Sequence, residues 1–119
     1  MCKESEDMFN LFKKFNGNSI SASDAKKRIE EGKHVVLLDV RTPEEYKSSR
    51  INGSVLVPLD SLSTKISKVV SDKDVEIIVY CRSGARAKSA MGLLSKMGYT
   101  NVKNLGGIIS WPYGTISSN

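Results

Sequence analysis

The sequence contains few of the residues on which disulfide frameworks and metal sites depend. It has two cysteines, Cys2 and Cys81, and a single histidine, His34, among 119 residues. Two cysteines that lie so far apart do not make a disulfide framework. One histidine without neighbouring ligands argues against a metal site, and it also leaves a cysteine protease without a base beside its nucleophile. We therefore expect a protein of a reducing, cytoplasmic compartment that uses no metal or organic cofactor.

Long apolar runs are also missing. No stretch approaches the roughly 18 apolar residues of a membrane helix, so the sequence predicts no membrane association. The content of 39% hydrophobic and 26% charged residues is typical of a globular domain.

A turn-rich boundary at Asn16-Gly17-Asn18 divides the chain into two parts. Residues 1–18 are predicted to be a tail or short helix, and residues 19–119 are predicted to form one domain. Cys2 in the tail is expected to be inert; the alternatives are a resolving thiol or the lipidated residue of an exported protein.

Acidic side chains are absent from the sequence after Glu76, although the whole chain has a net charge of +5. The cations that follow this residue are Arg82, Arg86, Lys88, Lys96 and Lys103. Charge of one sign attracts ligands of the opposite sign, so this half of the chain favours a small anionic substrate or an acidic partner. Nucleic acid is not expected, because no nucleic-acid-binding module is recognisable and aromatic residues are not interleaved with the basic ones.

Strand and helix signals alternate along the chain. Strands are predicted at Ile20 and over residues 35–39, 54–57, 75–80 and 101–104. Helices are predicted from Ser21 or Ser23 to Glu31, from Pro43, and over residues 59–70 and 87–97. Thr42 and Glu45 have the spacing of a capping box around Pro43. Strands separated by helices indicate an α/β protein with a parallel sheet covered on both faces, in which sites form at the carboxyl ends of strands.

The segment Cys81-Arg82-Ser83-Gly84-Ala85-Arg86 stands where a predicted strand passes into a predicted helix. At such a junction the first N–H groups of the helix have no internal partners, and they stabilise a thiolate or another anion. Gly84 permits a tight turn with inward-pointing amides. A buried cysteine is often only a small apolar residue. Two flanking arginines, Arg82 and Arg86, favour a chemical role instead, since they stabilise a thiolate and can bind an oxyanion.

Two other sets of residues are predicted to be structural. Asp39 and Arg41 stand at the end of a predicted buried strand, where an acid and a base more often hold loops together by ion pairing than act on a substrate. Trp111 follows a Gly-Gly turn and is predicted to be a packing anchor.

Four ordered pieces of the sequence resemble the single-domain rhodanese-like sulfurtransferases. They are Val36-Leu37-Leu38-Asp39-Val40-Arg41-Thr42-Pro43-Glu44-Glu45-Tyr46, Ile51-Asn52-Gly53-Ser54 with Pro58, the loop from Cys81 to Arg86, and Leu105-Gly106-Gly107 with Trp111. The resemblance extends from residue 19 to about residue 114. It implies a rhodanese-like fold, with a five-stranded parallel sheet flanked by helices on both faces. The chain departs from the family at Ser49-Arg50, where Gly-His is usual, so any local hydrogen bond or partner contact of that histidine is replaced and a cation is added.

The resemblance also implies a catalytic cysteine that carries sulfur as a persulfide. On this reading Cys81 is the nucleophile, and the residues that bind the sulfur donor are Arg82, Ser83, Gly84, Ala85 and Arg86. The expected function is a sulfurtransferase that moves a sulfane sulfur from thiosulfate or a persulfide donor to a thiophilic acceptor, which is a thiol or a protein.

Alternatives to this enzyme remain open at the level of the sequence. A sulfur-relay or docking module without enzymatic turnover needs the same thiol. A phosphatase or an arsenate reductase is less expected, because its loop usually places five residues between cysteine and arginine, whereas four separate Cys81 from Arg86 here. The smaller loop suits a sulfur atom better than a tetrahedral phosphate. The oligomeric state is not indicated.

Overall fold

Four parallel strands form the centre of the protein in the computed structural model, which describes residues 18–32 and 34–118. The strands are β1 (Val35–Asp39), β2 (Val55–Leu56), β3 (Glu76–Cys81) and β4 (Val102–Gly107). Their order in the sheet is β2-β1-β3-β4, and each neighbouring pair is parallel. All four strands therefore end at the same edge of the sheet, which is where Cys81 lies.

Helices connect the strands. They are α1 (Ala22–Glu30), α2 (Pro43–Ser48), α3 (Leu62–Val69) and α4 (Ala85–Lys96), with 3-10 turns at Leu59–Ser61 and Ile108–Ser110. The side chain of Ser21 accepts a hydrogen bond from the Asp24 N–H and so caps α1. The capping box of Thr42 and Glu45 is present at the start of α2. Both helix starts thus follow the local signals in the sequence.

The prediction of five strands is wrong for the described residues. The strand expected at Ile20 is a single bridge between Ser19 and Asn104. The Ile20 N–H donates to the Asn104 carbonyl at 3.0 Å, and the Asn104 N–H donates to the Asn18 carbonyl at 2.7 Å. The segment pairs no further because Ser21 is the N-cap of α1, and the residues that follow it are helical.

Two apolar clusters lie on opposite faces of the sheet, because successive side chains of a strand point to opposite sides. All six residues of β3 are buried. Ile77, Val79 and Cys81 belong to the cluster that contains the buried residues of α3 and α4. Ile78 and Tyr80 belong to the cluster that contains Ala25 of α1 and, partly buried, Trp111. The alternation therefore directs the Cys81 side chain to the face covered by α4.

The last strand is longer than predicted and includes both glycines of the Gly106-Gly107 pair. The register between β3 and β4 shifts at Val79 and Tyr80, after which Tyr80 lies opposite Gly106 and Cys81 opposite Gly107. The sequence suggested that these glycines begin the closing turn. They instead continue the sheet beside Cys81, and the turn begins at Ile108.

Among residues 18–32 and 34–118, no helix combines the length and the apolar character that spanning a membrane requires. The predicted tail or short helix over residues 1–18, including Cys2, lies outside the described residues except for Asn18. The domain boundary at residue 19 stays a prediction.

Candidate active site

The Cys81 thiol lies against the first turn of α4. Cys81 is the last residue of β3, and only three residues separate it from Ala85, the first residue of the helix. Such a short connection requires a left-handed backbone at Gly84, whose φ is 116°. The Cys81 Sγ accepts hydrogen bonds from the N–H groups of Gly84 at 3.0 Å and of Ala87 at 3.4 Å. The residue is 1% exposed.

This environment favours a negative charge on the sulfur. The amides of Gly84 and Ala87 belong to the start of α4, where N–H groups lack partners within the helix and the helix dipole is positive. Both donors are backbone amides, whose N–H dipoles point at the sulfur. The helix begins two residues earlier than the predicted start at Ala87, and this places the Ala87 amide in its first turn, within reach of Sγ.

The end of β4 presses against the backbone of the cysteine loop. A Cβ added to Gly107 would lie 2.3 Å from the Arg82 carbonyl oxygen and 2.7 Å from the Ser83 Cα. No real Cβ contact is this short, so only glycine allows the strand and the loop to approach so closely. The Ile109 N–H also donates to the Arg82 carbonyl, at 3.3 Å. The loop is therefore held by α4 on one side and by the end of β4 on the other.

Arg86, one of the two predicted anion-binding arginines, is engaged by a carboxylate of α2. Its Nη1 donates to Glu45 Oε1 at 2.7 Å and its Nη2 to Oε2 at 2.9 Å. The same Oε1 accepts hydrogen bonds from the N–H and the hydroxyl of Thr42. The Arg86 hydrogen bonds, opposed by partial burial and supported by those of Thr42, lower the pKa of Glu45 from 4.5 to about 2. The pair joins α2 to the first turn of α4.

Arg82, the other predicted arginine, is exposed, and its side chain forms no hydrogen bond or ion pair with any residue in the described ranges. Ser83 and Ala85 are also exposed, and Gly84 is half-buried. The six predicted site residues, 81 to 86, thus span the end of β3, the connecting loop and the first turn of α4. The structure places a guanidinium with an available charge at position 82 and one with a neutralising partner at position 86.

Asp39 and Arg41 form a buried pair below this edge of the sheet, as the sequence predicts. Arg41 donates from Nη2 to Asp39 Oδ2 at 2.7 Å and from Nε to both carboxylate oxygens. The same Nη2 donates to the Ser49 carbonyl at 2.6 Å. Asp39 is 0% and Arg41 4% exposed, and each is hydrogen-bonded within the chain. Their role is therefore to connect β1 to the segment after α2.

The unusual Ser49-Arg50 pair has a structural use. Arg50 forms an isolated bridge with Ile116, in which each N–H donates to the carbonyl of the other residue. Its guanidinium lies 4.7 Å from the centre of the Tyr46 ring and donates to the Tyr46 carbonyl and to the Ser118 hydroxyl. Arg50 therefore attaches the C-terminal segment to the domain, a contact that this side chain makes through its length and its several donors.

Three residues beside the thiol carry no functional signal in the sequence. Glu45 has the position of a capping-box residue, and Ala87 has the position of a helix start. Gly107 belongs to the family resemblance without an assigned role. A carboxylate already used in a cap carries no local signal of a second partner. For Gly107 the only signal was the Gly-Gly pair itself, which is typical of a close backbone approach as well as of a turn.

Glu45→Gln should reduce the acid sensitivity of the fold. Because the folded-state pKa is about 2 against a usual 4.5, the charged Glu45 contributes stability that is fully present above pH 4.5 and is lost as the pH falls toward 2. We expect the variant to be about 1–2 kcal/mol less stable near neutral pH, and this difference to shrink at low pH. Urea unfolding of both proteins over this pH range measures it.

The matched control for this experiment is Glu44→Gln, since Glu44 is an exposed neighbour in the same helical turn. It should change stability little and show no such pH dependence. A difference between wild type and Glu45→Gln that stays constant down to about pH 2 contradicts the assignment of the ion pair.

Comparison with known proteins places this site in a family. Residues 21–112 match the family described as Rhodanese-like domain. A sulfurtransferase of Allochromatium vinosum is 37% identical over 95 residues, which cover 79% of this chain and 87% of that protein. A thiosulfate sulfurtransferase of Escherichia coli is 39% identical over 71 residues, which cover 60% of this chain and 68% of that protein.

A solved structure described as a rhodanese with anions from Escherichia coli has a TM-score of 0.66 at 34% identity. The match covers 70% of this chain and 98% of that chain. The chain belongs to the rhodanese-like domain family. These relatives confirm the predicted fold class and the predicted class of enzyme, a rhodanese-type sulfurtransferase.

No group of three or more histidine, cysteine, aspartate or glutamate side chains that suits a metal ion occurs in the part of the chain that the structure describes. Cys81 is a free thiol. Cys2, predicted to be inert, resolving or lipidated, lies outside the described residues.

Proposed function

We propose that the protein transfers a sulfane sulfur from a small anionic donor, such as thiosulfate, to a thiol acceptor through a persulfide on Cys81. The observation that carries this proposal is the position of the thiol, whose Sγ accepts hydrogen bonds from two amides at the start of α4. The relatives named above are sulfurtransferases, and one of them is named for thiosulfate.

The first step is the attack of the Cys81 thiolate on the outer sulfur of the donor. With thiosulfate, the bond between the two donor sulfurs breaks, its electron pair leaves with sulfite, and a new S–S bond forms on Cys81. The donor is an anion, so a positive environment is needed for it to approach a thiolate. The start of α4 and the exposed guanidinium of Arg82 supply it.

The second step returns the enzyme to its starting state. The thiolate of an acceptor attacks the outer sulfur of the persulfide, and the sulfur bonded to the protein leaves as the Cys81 thiolate. The amides of Gly84 and Ala87 stabilise this leaving group as they stabilise the free enzyme. Both steps need Cys81 alone as the sulfur carrier, and neither calls for a metal or an organic cofactor.

Arg86 acts in this scheme mainly through Glu45. The bidentate pair leaves little net charge for the donor, but it fixes the first turn of α4 against α2 and so keeps the Ala87 amide directed at Sγ.

Ser83, Gly84 and Ala85 contribute backbone rather than side-chain contacts to the donor. The reactive free thiol belongs to a reducing compartment, so the protein acts in the cytoplasm.

Intact-protein mass spectrometry after incubation with thiosulfate tests the proposal. The mass should increase by one sulfur atom, the added sulfur should map to Cys81, and cyanide should remove it. Protein whose thiols have been alkylated beforehand serves as the control and should gain nothing. If the unmodified protein also gains no sulfur, thiosulfate is not the donor and the proposed first step is incorrect.

A further inference from the structure

We propose that the layer formed by α3 and α4 is a docking surface for an acidic protein whose cysteine accepts the sulfur from Cys81. The inference rests on the proposed function and adds to it the class of the acceptor and the place where it binds. Three observations carry it: the distribution of charge between the two layers of the fold, a groove beside the site, and a glycine that the fold itself does not need.

Charge is concentrated on one layer of the protein. The segments that form the layer of α3 and α4, residues 59–70 and 82–98, contain one acid, Asp60, and six cations, of which Arg86 is paired with Glu45. The other five, with no ion-pair partner among the described residues, are Lys65, Lys68, Arg82, Lys88 and Lys96. On the opposite face of the sheet, α1 and its C-cap hold three acids and three cations. The net positive charge of the chain therefore faces outward from α3 and α4.

A groove lies within this cationic layer. It has a volume of about 460 Å³ and is lined by Leu59, Ser89, Gly92, Leu93 and Lys96. Two leucines and a glycine line it together with Ser89 and Lys96. Ser89 is two residues beyond Ala87, whose amide contacts the Cys81 sulfur, so the groove begins within one turn of α4 from that amide, on the exposed side of the helix. An apolar centre with a charged rim is the usual composition of a protein interface.

Gly92 has no packing role toward the part of the chain that the structure describes. It stands in the middle of α4, where glycine costs about 1 kcal/mol relative to alanine. A Cβ at this position would meet nothing within 4 Å, so the fold does not require a glycine there. The missing side chain opens the groove and allows another chain to approach the helix backbone closely.

A protein fits this surface better than a nucleic acid. Among the described residues, the groove lining contains no aromatic side chain on which a base can stack, and two of its five residues are leucines. Acidic side chains of a protein partner can pair with Lys88 and Lys96 while an apolar side chain enters the groove. A segment of the partner that continues past the N-terminal end of α4 can then carry its cysteine to the edge of the sheet where Cys81 lies.

Sulfur transfer to two matched peptides tests the inference. Each peptide has one cysteine and two leucines; one carries aspartate and glutamate at its other positions, and the second carries lysine there. Cys81 is first loaded with thiosulfate, which is verified by mass, and the rate of sulfur transfer to each peptide is then measured. We expect at least about a tenfold faster rate for the acidic peptide, and we expect added salt to reduce this preference.

Charge reversal locates the surface. Lys88→Glu combined with Lys96→Glu should abolish the preference for the acidic peptide while leaving loading by thiosulfate intact. Lys27→Glu combined with Lys47→Glu makes the same change in net charge on α1 and α2 and should preserve the preference. Gly92→Gln should also slow transfer to the acidic peptide severalfold, although the fold should tolerate this substitution because the position is open.

The outcomes separate the two proposals. If Cys81 takes up no sulfur, the proposed function itself fails. If loading succeeds and the wild type treats both peptides alike, or the Lys88→Glu and Lys96→Glu double variant keeps the preference, the docking surface is wrong and the function stands. A 20-nucleotide single-stranded RNA that binds this surface more tightly than the acidic peptide at physiological salt also overturns the assignment to a protein partner.

Discussion

Cys81→Ser should lower thiosulfate:cyanide sulfurtransferase activity by at least about a thousandfold. The serine hydroxyl has nearly the volume of the thiol and can accept the same hydrogen bonds from Gly84 and Ala87, but it is not ionised at neutral pH and cannot carry a sulfane sulfur. The fold should survive, with a change in the free energy of unfolding of no more than about 1–2 kcal/mol. A steady-state cyanide assay and urea unfolding measure the two effects.

Cys2→Ser is the control for this substitution, because it removes the other thiol of the chain. Its activity should equal that of the wild type. More than trace activity in Cys81→Ser would reject Cys81 as the sulfur carrier. A large loss in Cys2→Ser would show instead that the second thiol takes part in the transfer.

Gly107→Ala should lower the activity by about a hundredfold, although it replaces no side chain that takes part in the reaction. The added Cβ would lie 2.3 Å from the Arg82 carbonyl oxygen, so the loop or the end of β4 must move. The atoms it meets are backbone and cannot rotate away, and a displacement of about 1 Å at a reacting group costs activity on this scale. The φ of Gly107 is −122°, which alanine adopts without strain, so the effect is one of space alone.

Gly98→Ala separates this effect from loss of stability. Gly98 has a φ of 95° beyond the end of α4, and a Cβ there meets nothing within 4 Å. The substitution should therefore destabilise the protein by about 1 kcal/mol through backbone strain and leave its turnover unchanged. The measurement compares the activities of Gly107→Ala, Gly98→Ala and the wild type per amount of folded protein.

Equal activity of Gly107→Ala and the wild type would mean that the loop does not need its close contact with β4.

The signals that predicted the strand, the turn and the helix around Cys81 act over a few residues. An apolar run followed by cysteine, glycine and a helical pattern indicates a strand-to-helix connection, and β3, Gly84 and α4 form one. The capping box of Thr42 and Glu45 depends on a spacing of three residues, and it is present. The donor-binding roles assigned to residues 82–86 remain predictions, although the structure brings these residues together.

The features that the sequence did not reveal depend on residues far apart in the chain. Glu45 and Arg86 are 41 positions apart, and nothing near either residue indicates the other. The expectation that Arg86 offers its charge to the donor overlooked this pair. Among the described residues the predicted fifth strand is only the bridge between Ser19 and Asn104, because α1 begins three residues after Ser19.

The sequence by itself determined the family, the α/β alternation and the position of the thiol at a helix start, because each follows from local backbone preferences and a short motif. Only the tertiary structure decided which charges are available. Packing α2 against α4 neutralises Arg86 with Glu45, and packing α3 beside α4 gathers on one face the cations that have no ion-pair partner within residues 18–32 and 34–118. The contact of Gly107 with the loop was decided in the same way. Electrostatic and steric effects depend on distances in space, and those distances are set by which elements pack together.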